Sequence, residues 1–330
     1  MKKYISVVVF LLVNSILFCQ KLSLVNTFHI ASPGGWDYLK VSPVHDWLYV
    51  SHGTQVNILN KTSGDSVDVI LNTPGVHGIA FDEINHKGFI SNGRGNSVTV
   101  FDINTNATLA QIPTGANPDA ITYEPFTKTI ITCNGRGKNL TMIDPATNKV
   151  LDSIVIGGKP ETAVSDDHGL FYVNVEDKNE IAVVDLKTKT VIHHWSLLPA
   201  EEPTGLAYNA NTHRLFAGCD KSLVVLDSKS GEVKSRISIG EGCDGVSFDP
   251  VTKRIYTANG SGTVTVIHED DADHYTILEN AISKRGARTI TLDEKTHTIY
   301  LPTADFLPLP VGQQGRPPMK PGSFQILVMK

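Results

Sequence analysis

VTVFD (Val98 to Asp102), LTMID (Leu140 to Asp144), IAVVD (Ile181 to Asp185) and LVVLD (Leu223 to Asp227) are versions of one apolar strand ending on an acidic residue. Their closing residues lie 42, 41 and 42 positions apart, and VNILN ending at Asn60 and VTVIH ending at His268 keep the same interval. A fixed period of this length means one supersecondary unit repeated, each copy too small to bury its own apolar face.

Around each aspartate-terminated strand the same signals recur in order. A strand such as HGIAFD (His77 to Asp82) or DGVSFD (Asp244 to Asp249) precedes a polar turn. A second strand then ends on a small or polar residue, as in LYVSHG, GFISNG, TIITCNG and RIYTANG. The aspartate strand is third, and a turn such as NTNA or SKSG leads to a fourth, as in VKSRISIG. These runs are alternating and β-branched, with no sustained helical spacing. Four antiparallel strands per unit make a propeller blade.

First strands begin near Asp37, His77, Asp119, Glu161, Thr204, Asp244 and Arg288, which predicts an all-β, seven-bladed β-propeller. The last unit has three strands of its own, while KLSLVNTFHIA (Lys21 to Ala31) is a strand in excess at the other end. Pairing the two would close the ring and remove its unpaired seam. Residues 21–330 are therefore expected to form a single domain.

Residues 1–20 read differently: Lys2 and Lys3, an apolar run from Ile5 to Phe18, then Cys19 and Gln20. A basic start before such a run has the form of a secretory signal peptide, which implies a periplasmic or extracellular protein. Phe18 stands where a lipid-modified Cys19 would want a small residue, which argues against lipoprotein anchoring. No later segment is long and apolar enough to cross a membrane. Discounting Lys2 and Lys3 takes the formal charge from −5 to −7, a poor balance for tracking nucleic-acid phosphates. Cys133, Cys219 and Cys243 are too few for a disulfide scaffold, though a Cys219–Cys243 disulfide is open.

YVSHG, FISNG, YVNVE and YTANG, followed by V-x-V-x-D (VTVFD) or its variants VNILN, IAVVD and VTVIH and then by segments such as IPTGANP and IVIGGKP, resemble the YVTN-repeat (YncE-like) bacterial β-propellers. The resemblance spans nearly all of residues 21–330 and implies the propeller fold and export. It brings no catalytic motif, and for some members it implies nucleic-acid binding or a surface role.

Strand direction places the starts of first strands and the ends of second strands on one face, around the central channel. A site there would draw on Asp37, His77, Asp119, Glu161, Asp244 and Arg288, with His52, Asn92, Asn134 and Asn259 from second strands and Arg94 and Arg136 beside them. Crowded carboxylates at a low-dielectric mouth repel, which raises pKa values or invites a cation. The competing reading is that Asp, Asn and Gly at these points only cap strands and shape turns. His77 and Arg288 break the column and are the candidate catalytic pair. Asp119, Asn134, Glu161 and Asp244 are the candidate ligands of a divalent cation such as calcium.

The repeat is broken most by ADFLPLPVGQQGRPPMKPGS (Ala304 to Ser323), a long insertion in the last blade. It is expected on the same face, covering the mouth, with Phe306 and Trp36 as packing or stacking surfaces. Three functions follow: a scaffold binding a small molecule, glycan or protein; a metal-assisted hydrolase or lactonase; and single-stranded nucleic-acid binding, which needs aromatic platforms beside a basic groove whereas the mouth columns are acidic on balance. HEDDADH (His268 to His274) lacks the glycine and terminal glutamate of a calcium loop, and the two NGRG segments have no following lysine or helix, so neither adds a site.

Overall fold

A computed structural model describes residues 21–309, 315 and 317–330; the basic and apolar leader lies outside these residues. Seven antiparallel sheets of four strands stand in a ring. Blade 1 is Trp36–Val41, Trp47–His52, Gln55–Asn60 and Ser66–Ile70, and six blades of the same order follow. The expected count and register hold. The inner strand of blade 7 is the exception, shortened to Thr291–Asp293.

The core lies between blades. Ile131, Leu140 and Met142 of blade 3 pack on Phe171, Val173 and Val184 of blade 4. Leu39, Leu48 and Val50 of blade 1 pack on Tyr300, Ile326 and Val328 of blade 7. Alternation along each strand sends successive side chains to opposite faces, and both faces meet a neighbouring sheet.

Closure comes from the N-terminal strand. Leu24–His29 pairs antiparallel with Gln325–Met329, Phe28 opposite Ile326, so blade 7 is completed from the far end of the chain. Across this seam the Tyr300 hydroxyl donates to the Lys61 carbonyl at 2.9 Å, and the Lys61 ammonium meets Asp293 at 2.9 Å. Tyrosines at the same register repeat the link elsewhere: Tyr49 donates to Asn106 and Tyr172 to the Ser228 carbonyl.

The repeat-marking aspartates are turn residues. The Asp102 carboxylate accepts the Asn104 and Thr105 backbone N–H groups at 2.9 Å, and Asp227 does the same for Lys229 and Ser230 at 3.0 Å. Such Asx turns close the hairpin between third and fourth strands on the face away from the mouth. Backbone and hydroxyl donors hold the Asp102 carboxyl below its ordinary range.

Phe28 is 3% exposed within the closing blade, whereas Leu24 on the same strand is 54% exposed. Phe28→Ala should cost roughly 3–5 kcal/mol, and Leu24→Ala within about 0.5 kcal/mol. Urea unfolding midpoints compare the two; equal midpoints would contradict closure by this strand.

Candidate functional site

All seven first-strand positions picked out by the repeat, Asp37, His77, Asp119, Glu161, Thr204, Asp244 and Arg288, line one cavity of about 310 Å³ at the mouth of the channel. The inner strands are held there by hydroxyls of adjoining blades. Thr289 of blade 7 donates to the Asp37 carbonyl at 2.6 Å, Ser91 of blade 2 to the Asp119 carbonyl at 2.5 Å, and Thr204 of blade 5 to the Cys243 carbonyl at 2.7 Å.

Their side chains form an alternating chain of charge across five blades. Asp244 accepts from Arg288 at 2.5 Å, and the same guanidinium lies 3.9 Å from Asp37. Asp37 meets the His77 Nδ1 at 2.5 Å, and that nitrogen lies 3.6 Å from Asp119. Separately, Lys159 pairs with Glu161 at 2.7 Å and with Glu176. The cavity wall carries seven carboxylates (Asp37, Asp119, Glu161, Glu176, Glu202, Asp220 and Asp244) against three basic side chains, His77, Lys159 and Arg288.

That surplus has consequences for protonation. Burial, reinforced by Asp37, pushes the Asp119 carboxyl up to about 7. Burial and the neighbouring Asp119 push Glu161 up to about 9, despite Lys159. Asp244 is raised by burial, with Arg288 opposing. Desolvation would lower the His77 imidazole, but the Asp37 hydrogen bond and the fields of Asp119 and Asp37 outweigh it and raise it.

Several groups here escaped the sequence reading. Glu202 has left-handed backbone, φ 54°, where blades 2, 6 and 7 place Gly75, Gly242 and Gly286. A non-glycine residue there costs about 1–2 kcal/mol, so an acid is held at the mouth against local preference. Lys159 occupies the position before proline that Asn117 fills in blade 3, a difference visible in GGKPE against GANPD. Tyr38 follows Asp37 where the other blades have Gly78, Ala120, Thr162, Gly205, Gly245 and Thr289. It borders both the mouth and a second cavity of about 440 Å³ further along the channel, and so separates them. Its phenol is raised well above the usual value by burial and by Asp119, Asp37, Glu161 and Asp244.

The second-strand candidates are corrected. His52 is fully buried, bonded to Ser32 at 2.9 Å and to the Gly34 carbonyl at 3.0 Å. Asn92 donates to Thr99, Asn134 to Thr141 and Asn259 to Thr265, all inside their own sheets. Second strands lie one strand further from the axis, so these amides tie strands together instead of lining the channel. Asn134 is thereby lost as a metal ligand. Arg136 is exposed on Asn117 at 2.9 Å, and Arg94 packs over Gly75; neither lines the cavity. Cys219 and Cys243 are free buried thiols, so the disulfide is not formed.

The long insertion is anchored away from the axis. Phe306 pairs with Met319 across its base and packs on Trp36, which stacks on Phe324 with ring centres 5.4 Å apart. Trp36 and Phe306 are thus spent on each other, and no described residue of the insertion lines the mouth cavity. The middle of the expected cover, 310–314 and 316, lies outside the described residues.

Asp37, His77 and Asp119 offer donor atoms within 4.8 Å of one another, the one metal-like grouping among the described residues. Asp244 is taken by Arg288 instead.

No protein-family model matches the chain, and no curated protein matches it. Among solved structures it is similar to hydrazine synthase of Kuenenia stuttgartiensis, with 16% sequence identity over 83% of this chain and 94% of that one and a TM-score of 0.73. At that identity the likeness is one of fold. Among the described residues no helix is long and apolar enough to cross a membrane.

The raised carboxyls set a pH dependence. Folded Asp119 and Glu161 hold protons that the unfolded chain releases near pH 4, so stability falls as pH rises from there toward about 7 and about 9. The raised His77 adds the same sign, since its contribution is present at low pH and lost as pH rises through its folded value. In buffers with chelator the melting temperature should fall between pH 5 and 9, and Glu161→Gln should flatten the fall. Parallel profiles for the two proteins would remove Glu161 as a source.

Proposed function

We propose that this chain is an exported binding scaffold of the YVTN-repeat kind whose channel mouth takes a small, positively charged ligand. One observation carries the reading: seven carboxylates face three basic side chains around a cavity of about 310 Å³, a volume suited to a small molecule. A cation entering it favours the ionised form of Asp119 and Glu161, whose carboxyls burial and neighbouring charge raise. The same surplus repels phosphate, which weighs against nucleic acid, and Tyr38 is the lone aromatic residue of the wall. Export is supported by the basic and apolar leader, and the YVTN assignment by the blade motifs.

A second reading, metal-assisted hydrolysis, is favoured by His77, which lies between Asp37 and Asp119 within the same chain of charge as Arg288. In it His77 serves as general base and Arg288 steadies a developing oxyanion. Hydrolysis of an aryl lactone, lost in His77→Gln, would support this reading; activity unchanged in that variant would end it.

The binding reading is tested with 1,4-diaminobutane against succinate, its dianionic counterpart. The diamine should bind and raise the melting temperature, succinate should not, and Asp119→Asn with Glu161→Gln should weaken diamine binding at least about tenfold, or 1.4 kcal/mol. Equal binding of both probes, or none of either, overturns it.

A further inference from the structure

We propose that Asp37, His77 and Asp119, from the inner strands of three successive blades, hold a divalent transition-metal ion of the zinc or manganese class. This rests on the reading of the mouth as a cation site and narrows it to three donors and one ion type.

The donor set selects the metal. One imidazole and two carboxylates suit zinc, manganese or ferrous iron. Calcium prefers six to eight oxygen ligands, and an imidazole offers none. Calcium, the ion expected from the acidic columns, is therefore replaced in this reading.

The geometry needs little change. Metal–donor bonds of about 2.0–2.2 Å put tetrahedral donors roughly 3.3 Å apart. His77 Nδ1 and Asp119 Oδ1 are already 3.6 Å apart. Asp37 Oδ2, at 2.5 Å from the same nitrogen, has to retreat by under about 1 Å, the movement of one carboxylate rotamer. Water in the open cavity supplies the remaining positions.

The surroundings hold these donors in place. Arg288 lies toward the other Asp37 oxygen, Oδ1, leaving Oδ2 for the ion and orienting the carboxylate from behind. Ser51 accepts the Asp37 backbone N–H at 3.1 Å, while Ser91 accepts the Gly78 N–H at 2.7 Å and donates to the Asp119 carbonyl. One serine therefore sets the spacing between the His77 and Asp119 strands. The imidazole stands against Gly93, where an added Cβ would come within 2.5 Å of Nε2, so any side chain there would displace the ring.

Cys243 is the rival ligand, since it lines the same cavity, but burial raises its thiol and works against the thiolate a metal requires. Surface histidines such as the exposed His193 are the other source of stray binding.

The test uses the full mature chain, stripped with chelator and dialysed against zinc, manganese or calcium. One zinc or manganese ion per chain is expected, with calcium retained more weakly. His77→Gln and Asp119→Asn should each lower affinity at least about tenfold, with His193→Gln unchanged. Urea midpoints confirm that each variant is folded. Cobalt loaded into the unaltered protein gives an independent readout: a visible spectrum without an intense thiolate charge-transfer band supports the trio, and such a band assigns the ion to Cys243 and overturns it. Failure to retain any transition ion, or retention unmoved by His77→Gln, also overturns it. Diamine binding without metal retention would remove the metal site and leave the cation reading standing; binding of neither removes both.

Discussion

A blade cannot exist alone: its two faces are both apolar, and each finds cover only on a neighbour. The ring must therefore close, and the pairing of Leu24–His29 with Gln325–Met329 is what closes it. Without that strand, blade 7 would show an unpaired edge and the cluster around Phe28, Phe324 and Ile326 would open to water. The buried Lys61–Asp293 pair lies at the same seam, where removing one partner would strand the other charge.

Closure also explains why the mouth can hold so much acid. Seven inner strands brought to one axis carry their first residues to a common point whatever those residues are. Five of them sit in an alternating sequence around the ring: acid at blade 6, guanidinium at 7, acid at 1, imidazole at 2, acid at 3. The alternation flanks Asp37 with basic groups on both sides, Arg288 and His77, while Asp119 has His77 on one side and Glu161 shares Lys159 with Glu176. Burial first, and neighbouring carboxylate charge second, raises the Asp119 and Glu161 carboxyls. Hydroxyls of adjoining blades bind the carbonyls of Asp37 and Asp119, so the strands cannot spread to relieve the repulsion.

The fold was legible because its signal is periodic: the strand ends at Asp102, Asp144, Asp185 and Asp227 recur, and one surplus N-terminal strand answers one missing at the other end. The first-strand column of the site was legible for the same reason, since a register position in a propeller is also a position around the axis. The second-strand column misled. Asn92, Asn134 and Asn259 share one register position, but each ties its own second strand to the third through a threonine hydroxyl. Recurrence alone cannot tell a channel residue from a strut. What distinguishes them is distance from the axis, which only coordinates supply. Of the two roles open to Trp36 and Phe306, packing and stacking, the structure shows packing, as each lies against the other.

Departures from the repeat are therefore better guides to function than the repeat itself. Tyr38 stands in a column of glycine, alanine and threonine, Lys159 where blade 3 has asparagine, Glu202 where three blades use glycine for a left-handed turn. Each is a local choice that the architecture does not require, and Glu202 is one it resists. All three converge on the mouth cavity, together with His77 and Arg288, the two basic members of an otherwise acidic and hydroxyl column. A purely structural ring would have no reason to concentrate its exceptions at one end of the channel. Under the proposed reading, a charged ligand at that opening accounts for the concentration, and for carboxylates whose ionisation burial disfavours.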